Sequence, residues 1–272
     1  MDWRDVAYYY VGTMAVIFLF LKMWGIISEG IQSALIIGVA IIGVLAILVV
    51  VISNTKGKTQ WSRVAVILIL ALFNVVFWSG FEQAGGTFNL FAEENTNRFL
   101  SLFNWEFPAS GFQSVNPLLI VSLAPLFSLL WVFLSKMKQN PRTPVKFGLG
   151  LMLLSAGFFV MSAANGLTAG DNLVSPFWLI GVYILHTSGE LLLSPIGLSM
   201  ITKLAPPPIV SVMMGLWMAS WALGNYLAAT MESLLQRFNM ELYSFIAIEG
   251  LIAGGLLLLI SPLLNKMMKG IH

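Results

Sequence analysis

Two glutamates, Glu82 and Glu190, stand in apolar stretches where an acidic side chain is unexpected. Glu82 lies in FWSGFEQAGGTF, and Glu190 lies in SGELLLSPIGLS. A charge at the centre of a bilayer costs roughly 2.5–3.5 kcal/mol on insertion scales. Carboxyl groups in such places therefore tend to face a bundle interior or a water-filled cavity, where they bind ligands or relay protons. We expect both carboxyls to face one shared cavity.

Glu82 has an aromatic neighbour and is followed by a pair of glycines. Trp78 is four residues earlier, so the two side chains share one helix face. Gly85 and Gly86 weaken the helix directly after it, and irregular backbone beside a carboxyl is typical of a cavity wall. The alternative is close helix packing through the glycines, with Glu82 bonded to a neighbouring helix.

Glu190 shows the same pattern beside a proline. Ser194 is four residues on, on the same face, and Pro195 removes a backbone hydrogen bond from the helix. A loosened helix with an inward carboxyl suits a moving element that contacts a ligand. A purely structural buried carboxyl fits these residues equally well, so their chemistry leaves both readings open.

Two further titratable residues lie in apolar stretches. His186 is four residues before Glu190, but two ligands do not make a metal site, so we predict a packed or hydrogen-bonded histidine and no bound metal. For Glu249, in FIAIEGLIAGG, we predict a helix-contact role.

The composition predicts the class of protein. Hydrophobic residues make up 58% of the 272 residues and charged residues only 10%, whereas soluble domains carry about 25% charged residues. A net charge of +2 gives no reason to expect nucleic-acid binding. The absence of cysteine excludes disulfides and thiolate sites. The chain is therefore predicted to be a polytopic membrane protein.

The elements that position the two carboxyls are predicted to be membrane helices. A crossing helix needs about 20 mostly apolar residues, and alternating strands of a barrel are missing from the sequence pattern. We therefore predict an all-α bundle of about eight helices. Residues 1–55 are predicted to form a separate two-helix hairpin and residues 56–272 a six-helix bundle. The predicted spans are residues 8–27, 31–53, 64–91, 117–135, 147–165, 176–203, 211–235 and 243–264.

Basic residues predict the orientation, because Lys and Arg in short loops stay on the cytoplasmic side. They lie after the second, fourth, sixth and eighth predicted spans, so both termini are predicted to be cytoplasmic. These residues are Lys56, Lys58, Arg63, Lys136, Lys138, Arg142, Lys146, Lys203, Lys266 and Lys269.

Four stretches of the chain resemble the proton-dependent oligopeptide transporter family of the major facilitator superfamily. Within residues 64–264 they are FWSGFEQAGGTFNLFAEENTNR, WEFPASGFQSVNPLLIVSLAPLFSLLW, GELLLSPIGLSMITKLAP and MMGLWMASWALGNYLA. The resemblance implies the C-terminal half of a major facilitator fold, preceded by the hairpin that links the two halves. It also implies proton-coupled symport of di- and tripeptides by alternating access, in the bacterial inner membrane. No cofactor is expected, and the proton is the coupling ion.

The resemblance also implies roles for individual residues. Glu190 would pair with the amino terminus of the peptide and Glu82 would carry the coupling proton. Further binding residues are Ser194, Asn116, Trp78 and Trp217, and the gating hinges are Gly85, Gly86 and Pro195.

The chain lacks two motifs of the family, the Glu-x-x-Glu-Arg of the first span and the lysine of the fourth. It is therefore expected to work with an N-terminal six-helix half, which would also supply the cation for the peptide's carboxylate. The alternative is a truncated, non-transporting fragment or scaffold. An intramembrane enzyme is not predicted, because Glu82 and Glu190 lack the sequence context of a catalytic acid pair.

Overall fold

The computed structural model describes residues 29–100, 104–170 and 172–271. The predicted span at residues 8–27 lies outside the described residues. The chain divides into two compact units, residues 1–54 and 55–272. In the first unit, helix α1 (Glu29–Asn54) contains the predicted span at 31–53.

The second unit is almost entirely helical, as its apolar stretches predict. Its elements are α2 (Gly57–Phe81), a 3₁₀ turn (Glu82–Gly85), α3 (Thr87–Asn95), β1 (Phe99–Leu100), β2 (Trp105–Glu106), a 3₁₀ turn (Ala109–Ser114), α4 (Val115–Lys136), α5 (Thr143–Gly166), α6 (Phe177–Leu204), a 3₁₀ turn (Pro207–Ile209), α7 (Val210–Gln236) and α8 (Leu242–Met267).

Within the described residues, six helical segments are long and apolar enough to cross a membrane, with α2 and α3 counting as one. They correspond to the six predicted spans from residue 64 onward, which are therefore confirmed as apolar helices. The broken first segment runs from Gly57 to Asn95. The break falls at Gly85 and Gly86, where helix-weakening residues predicted it.

The loop between α3 and α4 contains a small hairpin that the sequence pattern did not predict. β1 and β2 pair antiparallel, with Phe99 opposite Glu106, and an Arg98–Glu106 ion pair of 2.8 Å closes it. Two residues per strand are too few to produce a visible alternation.

A backbone bridge joins the end of α3 to the segment that enters α6. Thr96 and Val174 form an isolated parallel bridge. The Asn97 N–H donates to the Val174 carbonyl, and the Val174 N–H donates to the Asn95 carbonyl, both at 2.8 Å. The spans that carry Glu82 and Glu190 are thus connected at one end.

Helix α5 is the centre of the packing, between α6 and α8. A Cβ added at Gly189 would lie 2.7 Å from the Gly150 carbonyl oxygen, so the backbones of α5 and α6 touch beside Glu190. The Ser155 hydroxyl donates to the Ala247 carbonyl of α8 at 2.6 Å. Small residues and interhelical hydrogen bonds of this kind hold membrane helices together. By contrast, none of the side chains of α4, a helix described throughout, is buried.

Candidate functional site

Glu190 lines a cavity of about 200 Å³ between α2, α6 and α7. Ser194 continues the α6 wall one turn further on, as the spacing predicted. Four of the predicted site residues therefore share this cavity, together with four others. The lining residues are Asn74, Trp78, Glu190, Ser194, Leu198, Trp217, Met218 and Trp221.

The Glu190 carboxylate is held by an amide from α4. Asn116 Nδ2 donates to Glu190 Oε2 at 2.9 Å and to Thr187 Oγ1 at 3.0 Å. Asn116 thus joins the predicted site through Glu190, and one amide group orients the carboxylate from the neighbouring helix. The Ser194 hydroxyl is sealed from solvent and has no hydrogen-bond partner among the described residues.

A line of hydrogen bonds orients the aromatic wall. Trp78 Nε1 donates to Asn74 Oδ1 at 3.1 Å, and Asn74 Nδ2 donates to Ser220 Oγ at 2.8 Å. The ring centroids of Trp78 and Trp221 lie 4.9 Å apart. The Asn74–Ser220 hydrogen bond joins α2 to α7, and the Ser220 hydroxyl in turn donates to the Trp217 carbonyl at 2.6 Å.

Trp217 lines the cavity but is almost fully buried. Its side chain is 4% exposed and packs edge-on against Phe147, with ring centroids 5.8 Å apart. A Cβ at Gly197 would overlap the Trp217 indole, so only glycine leaves room for the ring there.

Glu82 lies elsewhere than the sequence predicted. It lines a second cavity of about 290 Å³, with Gln83, Gly86 and Thr87 on one side and α7 on the other. The expected single cavity shared with Glu190 is therefore not formed by the described residues. Trp221 explains the separation, because its indole lines the first cavity while its Nε1 donates to Glu82 Oε1 at 3.3 Å.

The three predicted hinge residues differ in their surroundings. Gly85 and Gly86 lie at the helix break, and a Cβ at either would meet nothing within 4 Å among the described residues. Pro195 lies inside α6, which continues through it as a helix. Pro195 lines a separate cavity, not the Glu190 cavity.

Sequence reasoning missed Asn74, Thr187 and Ser220. The signal for Asn74 was present, since it is a polar residue four positions before Trp78 on the same helix face. Thr187, three residues before Glu190, could have been found by the same rule. Ser220 could not, because its partner lies 146 residues away in the chain.

The other two titratable residues have packing roles or no visible partner. His186 is buried, and its Nε2 is 3.1 Å from the Leu154 carbonyl oxygen. Its ring packs at a tilt against Phe158, with centroids 4.9 Å apart, which confirms the packed role. Glu249 Oε2 is sealed without a hydrogen-bond partner among the described residues, and its helix-contact role stays a prediction. No group of three or more His, Cys, Asp or Glu residues that could hold a metal occurs in the described ranges.

Together, the membrane-length helices and the polar cavity between them define a polytopic helical membrane protein. Comparison with known proteins narrows this class. The profile of the POT family matches residues 13–248, most of the chain. The chain belongs to the POT family.

Relatives of known name agree with this assignment. The chain is 36% identical over 232 residues to the uncharacterized transporter YclF of Bacillus subtilis, covering 85% of the chain and 46% of that protein. It is 43% identical over 174 residues to the peptide transporter YePEPT of Yersinia enterocolitica, covering 63% of the chain and 34% of that protein. It is 30% identical over 249 residues to the di-/tripeptide transporter of Lactococcus lactis, covering 90% and 50%.

Solved structures show the same fold. A mutant of the peptide transporter POT in complex with sulfate superposes with a TM-score of 0.77 at 30% identity, over 98% of this chain and 54% of that one. The same transporter in complex with alafosfalin superposes with a TM-score of 0.74 at 31% identity, over 98% of this chain and 53% of that one. The fold is therefore that of the helical bundles of POT transporters, and the chain spans about half the length of the relatives it matches.

Proposed function

We propose that this chain is the C-terminal half of a proton-coupled symporter for di- and tripeptides that works by alternating access. Residues 1–55 are the hairpin that links the two halves, and residues 56–272 are the C-terminal bundle. The observation that carries the proposal is a carboxylate, Glu190, held by Asn116 in a cavity with tryptophan walls.

The cavity suits the amino terminus of a peptide. No lysine or arginine lines it in the described part of the chain, so an incoming ammonium group is the natural counter-charge for Glu190. Charge-assisted hydrogen bonds of this kind are roughly twice as strong as neutral ones. Trp78, Trp217 and Trp221 offer apolar faces that accept different side chains without strict geometry.

Glu82 is the proposed site of proton coupling. It is half-buried at the helix break, and the indole of Trp221 reaches it from the wall of the peptide cavity. Protonation of Glu82 removes its charge and weakens that hydrogen bond. Trp221 is therefore the proposed link between the proton site and the peptide site.

The proposed partner is an N-terminal six-helix half. The side chains of α4 remain unburied within the second unit, and Asn116 at the start of α4 belongs to the site. A second bundle against α4 and α7 would enclose the cavity and supply the cation for the peptide's carboxylate. The proposed location is the bacterial inner membrane, with both termini in the cytoplasm. Labelling of terminal tags in intact spheroplasts tests this orientation, because cytoplasmic tags should not be reached.

Uptake of a labelled dipeptide tests the transport function. The chain is co-expressed with an N-terminal six-helix half and reconstituted into vesicles with a proton gradient. We expect accumulation with the wild-type pair, and exchange without accumulation for Glu82→Gln. Glu94→Gln, which removes an exposed carboxyl, is the matched control and should accumulate peptide normally.

Two results would contradict the proposal. Proton-driven accumulation by Glu82→Gln would remove the coupling role from this residue. An assembled pair that neither binds nor exchanges dipeptides would favour the alternative of a non-transporting membrane scaffold.

A further inference from the structure

A cavity of about 400 Å³ lies at the other end of α6, apart from the peptide site. It is enclosed where α4 ends, α5 begins and α6 ends. The Glu190 cavity has a different set of lining residues. The positive charges of the chain predict that this end of the bundle faces the cytoplasm.

Lys146 is the unusual residue of this cavity. It lies in the first turn of α5, is only 9% exposed, and its ammonium is 3.9 Å from the centroid of the Trp131 ring. Among the described residues it makes no ion pair and no hydrogen bond to a carboxylate. Burying most of a lysine side chain without an ionic partner is costly, and a tryptophan face offsets only part of that cost.

The remaining wall adds further polar side chains. Lys203 lines the cavity from the last turn of α6, and Asn140, Thr143 and Ser199 contribute amide and hydroxyl groups. No aspartate or glutamate lines the cavity within the described ranges. Such a set of groups is complementary to an anion with several oxygen acceptors.

The surroundings indicate an anion that belongs to the membrane. Trp131, Met200 and Met268 make the rest of the wall apolar. Basic pockets between helices at the cytoplasmic surface are suited to acidic lipid headgroups.

We propose that this cavity binds the phosphate headgroup of an anionic phospholipid, with Lys146 as the main contact. A phosphate oxygen would give Lys146 the counter-charge that no described residue supplies there. Pro195 is part of the same wall, so the lipid would contact the helix that also carries Glu190. This site does not depend on the transport proposal, because it needs neither a peptide nor a proton gradient.

Native mass spectrometry of the full chain, released from detergent with equal amounts of phosphatidylglycerol and phosphatidylcholine, tests the site. We expect preferential retention of phosphatidylglycerol. A hydrogen bond to a charged group is worth about 1.5–3 kcal/mol, so Lys146→Gln should weaken this retention roughly tenfold or more. Ser199→Ala, which removes a neutral donor, should weaken it roughly threefold.

The matched control is Lys138→Gln. Lys138 is exposed in the same α4–α5 connection and does not line the cavity. It should change retention less than roughly twofold, since exposed charges contribute little. The proposal would be overturned if Lys146→Gln and Lys138→Gln weakened phosphatidylglycerol retention equally. It would also be overturned if the wild type retained both lipids equally.

Thermal unfolding supplies a second readout that does not depend on lipid retention. Phosphatidylglycerol should raise the Tm of the wild type above the value in phosphatidylcholine, and Lys146→Gln should lose this difference. Without lipid, Lys146→Gln should be at least as stable as wild type, because it removes an unpaired buried charge. If inorganic phosphate alone gives the same Lys146-dependent shift, the site takes a soluble anion and the lipid assignment is wrong.

Discussion

The two sides of the six-helix bundle are built differently. Around α5, side chains such as Leu151, Leu154 and Phe158 are fully buried, and the backbones of Gly150 and Gly189 touch. Around α4 and α7, leucines such as Leu129 and Leu223 stay exposed. The Glu190 cavity lies between α2, α6 and α7. The packed side holds the bundle together, and the second, open side leaves such side chains uncovered within the described residues.

The largest expected effect is on dipeptide binding and comes from replacing Glu190. Glu190→Ala in the assembled carrier should weaken dipeptide binding by about 2–5 kcal/mol, because the ammonium loses its charged partner. At 1.4 kcal/mol per factor of ten, this is about 30-fold or more. Equilibrium binding of a labelled dipeptide measures the change. Glu93→Ala, an exposed acid of α3, is the control, and an equal effect of both would contradict the role of Glu190.

A pair of leucines tests the packed side against the open side. Leu151→Ala creates a cavity in α5, and we expect a loss of about 2–3 kcal/mol in stability, since buried leucine truncations cost about 2–5 kcal/mol and lipid supplies no hydrophobic transfer term. Leu129→Ala, at a site 67% exposed, should stay within about 0.5 kcal/mol. Unfolding of the chain in detergent measures both. Similar losses would show that the two sides are equally packed.

Two glycine substitutions compare a closely packed position with an open one. Gly189→Ala forces α5 and α6 apart, which costs about 1–3 kcal/mol and is partly offset by the better helix propensity of alanine. We expect a net loss of about 1–2 kcal/mol in stability. Gly86→Ala, at an open position, should leave stability nearly unchanged. If Gly86→Ala nevertheless slows peptide exchange, that result would support its role as a hinge.

The smallest expected effect concerns the link between the two cavities. Trp221→Phe keeps the aromatic wall but removes the 3.3 Å hydrogen bond to Glu82. A net hydrogen bond is worth about 0.5–1.5 kcal/mol, so proton-driven uptake should fall a few-fold while dipeptide binding stays near wild type. Trp105→Phe, in the exposed hairpin, is the matched control. An unchanged uptake rate for Trp221→Phe would show that Trp221 does not link Glu82 to the Glu190 cavity.

Local patterns predicted the helices and much of the cavity. The apolar stretches predicted the spans, and Gly85 and Gly86 predicted the helix break between α2 and α3. Both features depend on neighbouring residues alone. The four-residue spacing placed Ser194 on the same wall as Glu190, whereas Trp78, which the same spacing paired with Glu82, lines the Glu190 cavity instead. These features required no knowledge of which helices touch.

Features that depend on contacts between distant helices could not be predicted in this way. The separation of Glu82 from Glu190 depends on the indole of Trp221, which is 139 residues from Glu82 in the chain. The Asn74–Ser220 hydrogen bond spans 146 residues. Lys146 looked like an ordinary cytoplasmic lysine, and only the packing of α4, α5 and α6 shows that it is buried.

The bridge between Thr96 and Val174 limits how the bundle can open. Its two backbone hydrogen bonds tie the end of the Glu82 span to the segment that enters α6. Both bonds must break before the two segments can part, so any movement of α6 against the Glu82 span should leave this end in place.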